Sequence, residues 1–167
     1  MNTEILSAAE QADLIAALDD EYQARATYAQ VIEDFGDVRP FSNIVEAEDR
    51  HAHALINIFE RYGLAVPPDT WPGRVPRFAS LHAACEAGVA AEIANAALYD
   101  RVLAGTTRLD ILTVYRNLQE ASQQRHLPAF QRCAERGRRG EHHHDDDRDR
   151  PDDTHGRQHR RRRRGSD

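Results

Sequence analysis

Residues 41–62 read FSNIVEAEDRHAHALINIFERY. Taken in alternating steps of three and four, their stripe is Phe41, Ile44, Glu48, His51, Leu55, Ile58 and Tyr62, apolar except at two successive positions in the middle. A helix stacks residues three and four apart on one face, so Glu48 and His51 project together into whatever that face packs against. Glu-x-x-His is the spacing at which one helix offers a carboxylate oxygen and an imidazole nitrogen to a single metal site. The motif is common by chance. Its meaning depends on what other helices bring to the same level.

Three further helices can be read from the chain. Ser7 and Glu10 form a capping box, and the helix they start should run to about Phe35 along a seam of Leu14, Leu18, Glu21, Arg25, Tyr28, Ile32 and Phe35, with Gly36 as its left-handed end. Pro40 suits the first turn of the second helix, and Gly63 follows its last seam residue. Residues 63–79 hold four prolines, which predicts a crossover along the bundle, with Trp71 as an apolar plug over one end. Ser80 caps a third helix with the seam Leu81, Cys85, Gly88, Glu92, Asn95, Tyr99 and Val102, ending at Gly105. Thr107 and Asp110 suggest a weaker capping box for a fourth, reaching about Arg136 before Gly137.

The fourth seam is irregular. It begins Ile111, Tyr115, Leu118 and Ser122, and continues sensibly only at His126, Phe130 and Cys133, which requires two successive steps of four. One residue is surplus near Gln123 to Arg125. A stutter or a single π turn would absorb it, and Pro128, which cannot donate to the carbonyl of Gln124, favours a distortion there.

Composition sets the frame. The pattern predicts an all-α protein with one four-helix domain in residues 1–137. Residues 138–167 contain no apolar side chain and are dominated by Arg, Asp and His, so they are expected to form a disordered tail. That tail has ten Arg and eight acidic residues, leaving twelve Arg and twenty acidic residues in the rest. An acidic core disfavours nucleic acid as its partner, although Arg160 to Arg164 could touch a polyanion and His142, His143 and His144 a divalent cation. With no basic, apolar leader and no run of about 18 apolar residues, the expected location is cytoplasmic, without membrane contact. In a reducing compartment Cys85 and Cys133 are expected as small core residues.

The halves of the chain repeat. Glu21 and Tyr28 recur 71 positions on as Glu92 and Tyr99, and NIVEAE at Asn43 is answered 74 positions on by NLQEAS at Asn117. Reuse of a helix pair makes a four-helix bundle the natural product. The stretches DEYQARATY, FSNIVEAEDRH, AEIANAALYD and NLQEASQQRHLPAF resemble those of the ferritin-like superfamily, in particular a short bacterial family of unassigned role. The resemblance covers residues 7–137. It implies a ferritin-like four-helix bundle holding one or two iron or manganese ions between its helices. The convergent set is Glu21, Glu48, His51, Glu92 and His126, a donor mixture that suits iron, manganese or zinc. On the repeat, Ser122 stands where a partner of Glu48 is expected and Arg125 where a partner of His51 is expected.

Two functional classes remain open on these residues. One is an iron-dependent oxidoreductase of ferroxidase or peroxidase type, oxidising Fe(II) with oxygen or peroxide; the other is a non-enzymatic helical scaffold whose polar layer is metal-free, with Glu21 on Arg25 and Glu92 on Asn95. Either is compatible with a homo-oligomer. Tyr28 and Tyr99 are expected to pack in the core with their hydroxyls on carboxylates, Glu46 and Glu120 to lie off the seams as reserve ligands, and His53 and His82 at the surface or rim.

Overall fold

A computed structural model of the protein describes residues 5–145, with side chains described through residue 139. Among the described residues the chain is an all-α four-helix bundle: α1 (Ala8–Phe35), α2 (Phe41–Arg61), α3 (Leu81–Ala104), and a fourth rod made of α4 (Leu109–Ala121), a π turn (Ser122–His126) and α5 (Leu127–Asp145). The start of α1 is capped reciprocally, Glu10 N–H donating to Ser7 Oγ while Ser7 N–H donates to the Glu10 carboxylate. Gly36 leaves the helix at φ 86°, a backbone that a side chain would resist.

Two apolar clusters fix the topology. One gathers Leu14, Leu18, Leu55, Phe59, Val102 and Tyr115; the other gathers Val31, Phe41, Ile44, Cys85, Phe130 and Cys133. Chain order runs from the first cluster to the second along α1 and the fourth rod, and in the opposite sense along α2 and α3. The directions are therefore up, down, down, up, and the parallel pair α2 and α3 must be joined by a connection as long as the bundle. Residues 62–80 make it, lying against α1: Trp71 Nε1 donates to Asp19 (2.9 Å), Asp69 accepts from Arg25 (2.8 Å), and Arg77 pairs with Asp34 (3.0 Å). Trp71 is thus a strap on the flank of α1, with its ring against the first cluster, and not an end plug.

Several local expectations change. Pro40 caps α2 from one residue ahead of its first turn. Thr107 and Asp110 make no capping box; α4 starts at Leu109 behind Arg108, and Asp110 instead accepts from the Tyr62 hydroxyl and from Arg61. Gly137 does not end the fourth rod, which continues to Asp145, into what was expected to be tail. The glycine is needed for another reason: a Cβ there would lie 2.5 Å from His82 Nδ1. The rest of the expected tail, with its Arg run, lies outside the described residues. Cys85 and Cys133 are buried, and a disulfide joins them, because the antiparallel α3 and α5 bring these two seam positions together. Among the described residues no helix is long and apolar enough to cross a membrane.

Candidate metal centre

Between the two apolar clusters lies a polar layer to which all four rods contribute. Glu21 comes from α1, Glu48 and His51 from α2, Glu92 from α3, and Ser122 and His126 from the two ends of the π turn. Glu21, Glu48, Glu92 and His126 are each no more than 5% exposed. His51 Nδ1 lies 2.8 Å from Glu48 Oε2 and 3.2 Å from Glu21 Oε2, while His126 Nδ1 lies 3.1 Å from Glu48 Oε1 and 3.7 Å from Glu92 Oε1. The imidazole rings stack, centroids 5.4 Å apart. Donor atoms thus gather into two groups close enough to share an ion each, Glu21 with Glu48 and His51, and Glu48 with Glu92 and His126. Glu48 belongs to both, one oxygen facing each histidine.

The π turn accounts for His126. In a regular helix the step from Ser122 would carry Arg125 toward the seam; the wider turn absorbs one residue, so Arg125 is exposed and His126 is buried. Ser122 keeps the register of α4 and donates to Glu92 Oε2 at 2.5 Å. The tyrosines exchange partners across the repeat: Tyr28 of α1 donates to Glu92 of α3 (2.9 Å), and Tyr99 of α3 donates to Glu21 of α1 (2.6 Å). Each of these carboxylates is therefore oriented by a buried hydroxyl.

Burial is the largest influence on each carboxylate and raises all three. It prevails at Glu21, whose carboxyl is pushed up to about 8. At Glu92, burial and then the negative charge of Glu48 lift it to about 7. At Glu48 burial is outweighed by hydrogen bonds with His126 and His51, which hold the group down at about 2. Burial alone would lower His51, yet its bonds to Glu21 and Glu48 bring it up to about 9. When no cation is present, Glu21 and Glu92 are therefore favoured as neutral acids, and the His51 cation balances an ionised Glu48.

The metal-free pairing of Glu21 with Arg25 and Glu92 with Asn95 does not occur. Arg25 points away from the layer, to Asp49 (2.5 Å) and Asp69 (2.8 Å), and Asn95 donates to Asp20 (2.7 Å). Glu46 and Glu120 are exposed, which removes them as reserve ligands. His53 is exposed, and His82 is largely buried under Gly137, its Nε2 facing Glu86 at 3.4 Å. The Ser122 bond and the Asp20–Asn95 pair were not anticipated; only the matching of Asp20 on α1 with the polar seam position of Asn95 on α3 could have hinted at the latter.

No family model matches the chain, and no curated protein matches it. Among solved structures, a hypothetical protein from Methanococcus jannaschii DSM 2661 is similar, at 24% identity over 80% of this chain and 83% of that one, with a TM-score of 0.72. At that identity the likeness is one of fold alone.

Proposed function

We propose that this chain is a ferritin-like metal protein that holds iron or manganese in its polar layer and uses it to oxidise Fe(II) with oxygen or peroxide. The observation that carries the reading is Glu48, fully buried and shared between two groups of donors, each with a further carboxylate and an imidazole. Three carboxylates and two imidazoles fit a divalent ion of the iron or manganese type. Among the described residues no guanidinium reaches the layer to neutralise it, since Arg25 is engaged elsewhere and Arg125 is exposed. Buried charge without a partner costs several kcal/mol per ion, which favours occupants that replace the protons.

Glu21, Glu48, His51, Glu92 and His126 are the residues that would hold the metal, with Glu48 common to both donor groups and with Glu21 and Glu92 held in orientation by Tyr99 and Tyr28. Ser122, at the place of a second bridging carboxylate, leaves that side without an anionic donor and ties down Glu92 instead. A bound redox-active metal would supply the one-electron chemistry toward the oxidant.

The test is metal content of the full-length chain carrying His142→Ala, His143→Ala and His144→Ala, so that this histidine run does not contribute. Glu48→Ala with His51→Ala should abolish stoichiometric manganese or Fe(II) binding, and Glu46→Ala should leave it unchanged. Undiminished binding in the double variant, with the helical signal retained, would mean that the metal is held outside the layer and would remove this reading.

A further inference from the structure

We propose that the cavity between α2 and the π turn binds a small doubly charged oxyanion, inorganic phosphate or a phosphomonoester, held between the guanidinium groups of Arg50 and Arg125. The site stands on this cavity and does not require the metal reading above. The cavity measures about 380 Å³ and is lined by His51 and His126 but by none of the three carboxylates of the layer. Buried His126 and partly buried His51 close its inner end, while the exposed Arg50 and Arg125 stand at its open edge. Between them lie Ala47 on α2 and Ala121 and Ala129 on the fourth rod. These short side chains leave room for an oxyanion together with several waters of about 30 Å³ each.

Three observations select the occupant. Neither Arg50 nor Arg125 has a hydrogen-bond or ion-pair partner among the described residues. Other surface arginines share that property, Arg116 and Arg132 among them; Arg50 and Arg125 differ in meeting at one concave site. With nothing to hold them elsewhere, both side chains can turn onto a bound anion, and two planar forks match the oxygens of a phosphate dianion. Secondly, among the described residues no carboxylate lines this cavity, although acidic residues outnumber basic ones 28 to 22 in the chain. The cavity between α1 and α3, by contrast, is lined by Asp20, Glu21, Glu48 and Glu92. The repeat supplies the third observation. Once the extra residue of the π turn is discounted, Ala47, Arg50 and His51 recur as Ala121, Arg125 and His126, so each half of the chain brings the same trio to the cavity. An anion seated between the halves meets one guanidinium from each. Both imidazoles turn Nδ1 toward Glu48, which leaves Nε2 as the ring nitrogen available to a further ligand.

The probe is inorganic phosphate, titrated into the metal-free full-length chain at a pH above its second ionisation and followed by phosphorus NMR. It should bind saturably with a Kd of about 1 mM or tighter, and acetate, with one charge, about tenfold more weakly. Arg50→Gln and Arg125→Gln should each weaken phosphate binding about fivefold, since both groups are exposed, and together should abolish its saturable part. Arg116→Gln should leave it unchanged, and the helical signal should be kept throughout. Glycerol phosphate separates the two sources: tighter binding than phosphate marks an esterified ligand, weaker binding the free ion. With manganese bound and free ion removed, the phosphorus resonance should broaden, and the broadening should vanish in the double variant with manganese content unchanged. Phosphate binding that the double variant loses, in a chain that takes up no manganese, would support the anion site and overturn the metal reading. Manganese uptake without saturable phosphate binding, equal affinity for acetate, or phosphate binding that survives both substitutions would overturn the inference.

Discussion

Raising the pH of the metal-free chain should loosen it, for reasons that can be followed group by group. Glu21 moves from an ordinary value near 4.5 to about 8 in the fold, and Glu92 to about 7. Each holds a proton that the unfolded chain has already lost, so the stability it contributes is complete below about pH 4.5 and falls away as the pH climbs toward the folded value. His51, raised from 6.5 to about 9, acts in the same direction: its contribution is present below 6.5 and is lost through 9. Glu48 has the opposite sign, contributing above 4.5 and losing that as the pH falls toward 2, so it does not cancel the others in this window.

One retained proton is worth about 1.4 kcal/mol per pH unit. Over about pH 5.5 to 7.5 the retained protons remove stability on the order of a few kcal/mol, a large share of the roughly 5–15 kcal/mol available to a domain. Urea unfolding followed by circular dichroism measures the slope, and Glu21→Gln, which imitates the protonated acid, should flatten it. Calorimetric manganese titration in buffers of different ionisation enthalpy should count more than one proton released per chain near neutrality, because ligands must shed protons to bind a cation. Stability that stays level or rises over this range, together with manganese binding that releases no proton, would refute the proton-for-metal account of the layer.

Three further outcomes are expected. Gly88→Ala should destabilise by about 1–3 kcal/mol in urea unfolding, since its Cβ would sit 2.5 Å from Cδ1 of Phe130, a ring already packed 5.1 Å from both Tyr28 and Phe41. Tyr99→Phe removes the 2.6 Å donor to Glu21 and should weaken manganese binding about tenfold or more, read by competition with a chelator. Deleting Gln124 should convert the π turn to regular helix with stability held or raised; a loss of several kcal/mol, the scale of displacing large buried side chains, would mean that Phe130 and Cys133 had turned off the core.

The helices and their buried stripes were legible because each element carries its own period. Even the irregular fourth rod announced itself, through the steps of four from Ser122 to His126 and on to Phe130, which follow a step of four from Leu118 and so break the alternation of three and four that the other seams keep. What stayed hidden depends on partners from elsewhere in the chain. A glycine that ends a helix and one that lets a neighbour approach look alike in sequence, so Gly137 reads as an end although it makes room for His82. Cys85 and Cys133 became a pair only once α3 and α5 lay side by side. Arg25 falls on the α1 seam, but its long side chain turns toward Asp69 on the connection, whose path no periodicity reveals.

The repeat explains why the layer has the composition it does. Carried through without change, the second half would set Ser122 and Arg125 opposite Glu48 and His51. A guanidinium entering there would meet three carboxylates and make a salt-bridged layer, with a bound cation excluded by charge. The π turn avoids this with one residue. Upstream, Ser122 keeps its register and its bond to Glu92; downstream, the register moves on by one, Arg125 is carried out to solvent, and His126 comes in to stack on His51 and share Glu48 with it. Phe130 and Cys133 follow in the shifted register and close the second apolar cluster, so the distortion that sets the imidazole is held in place by the packing beyond it.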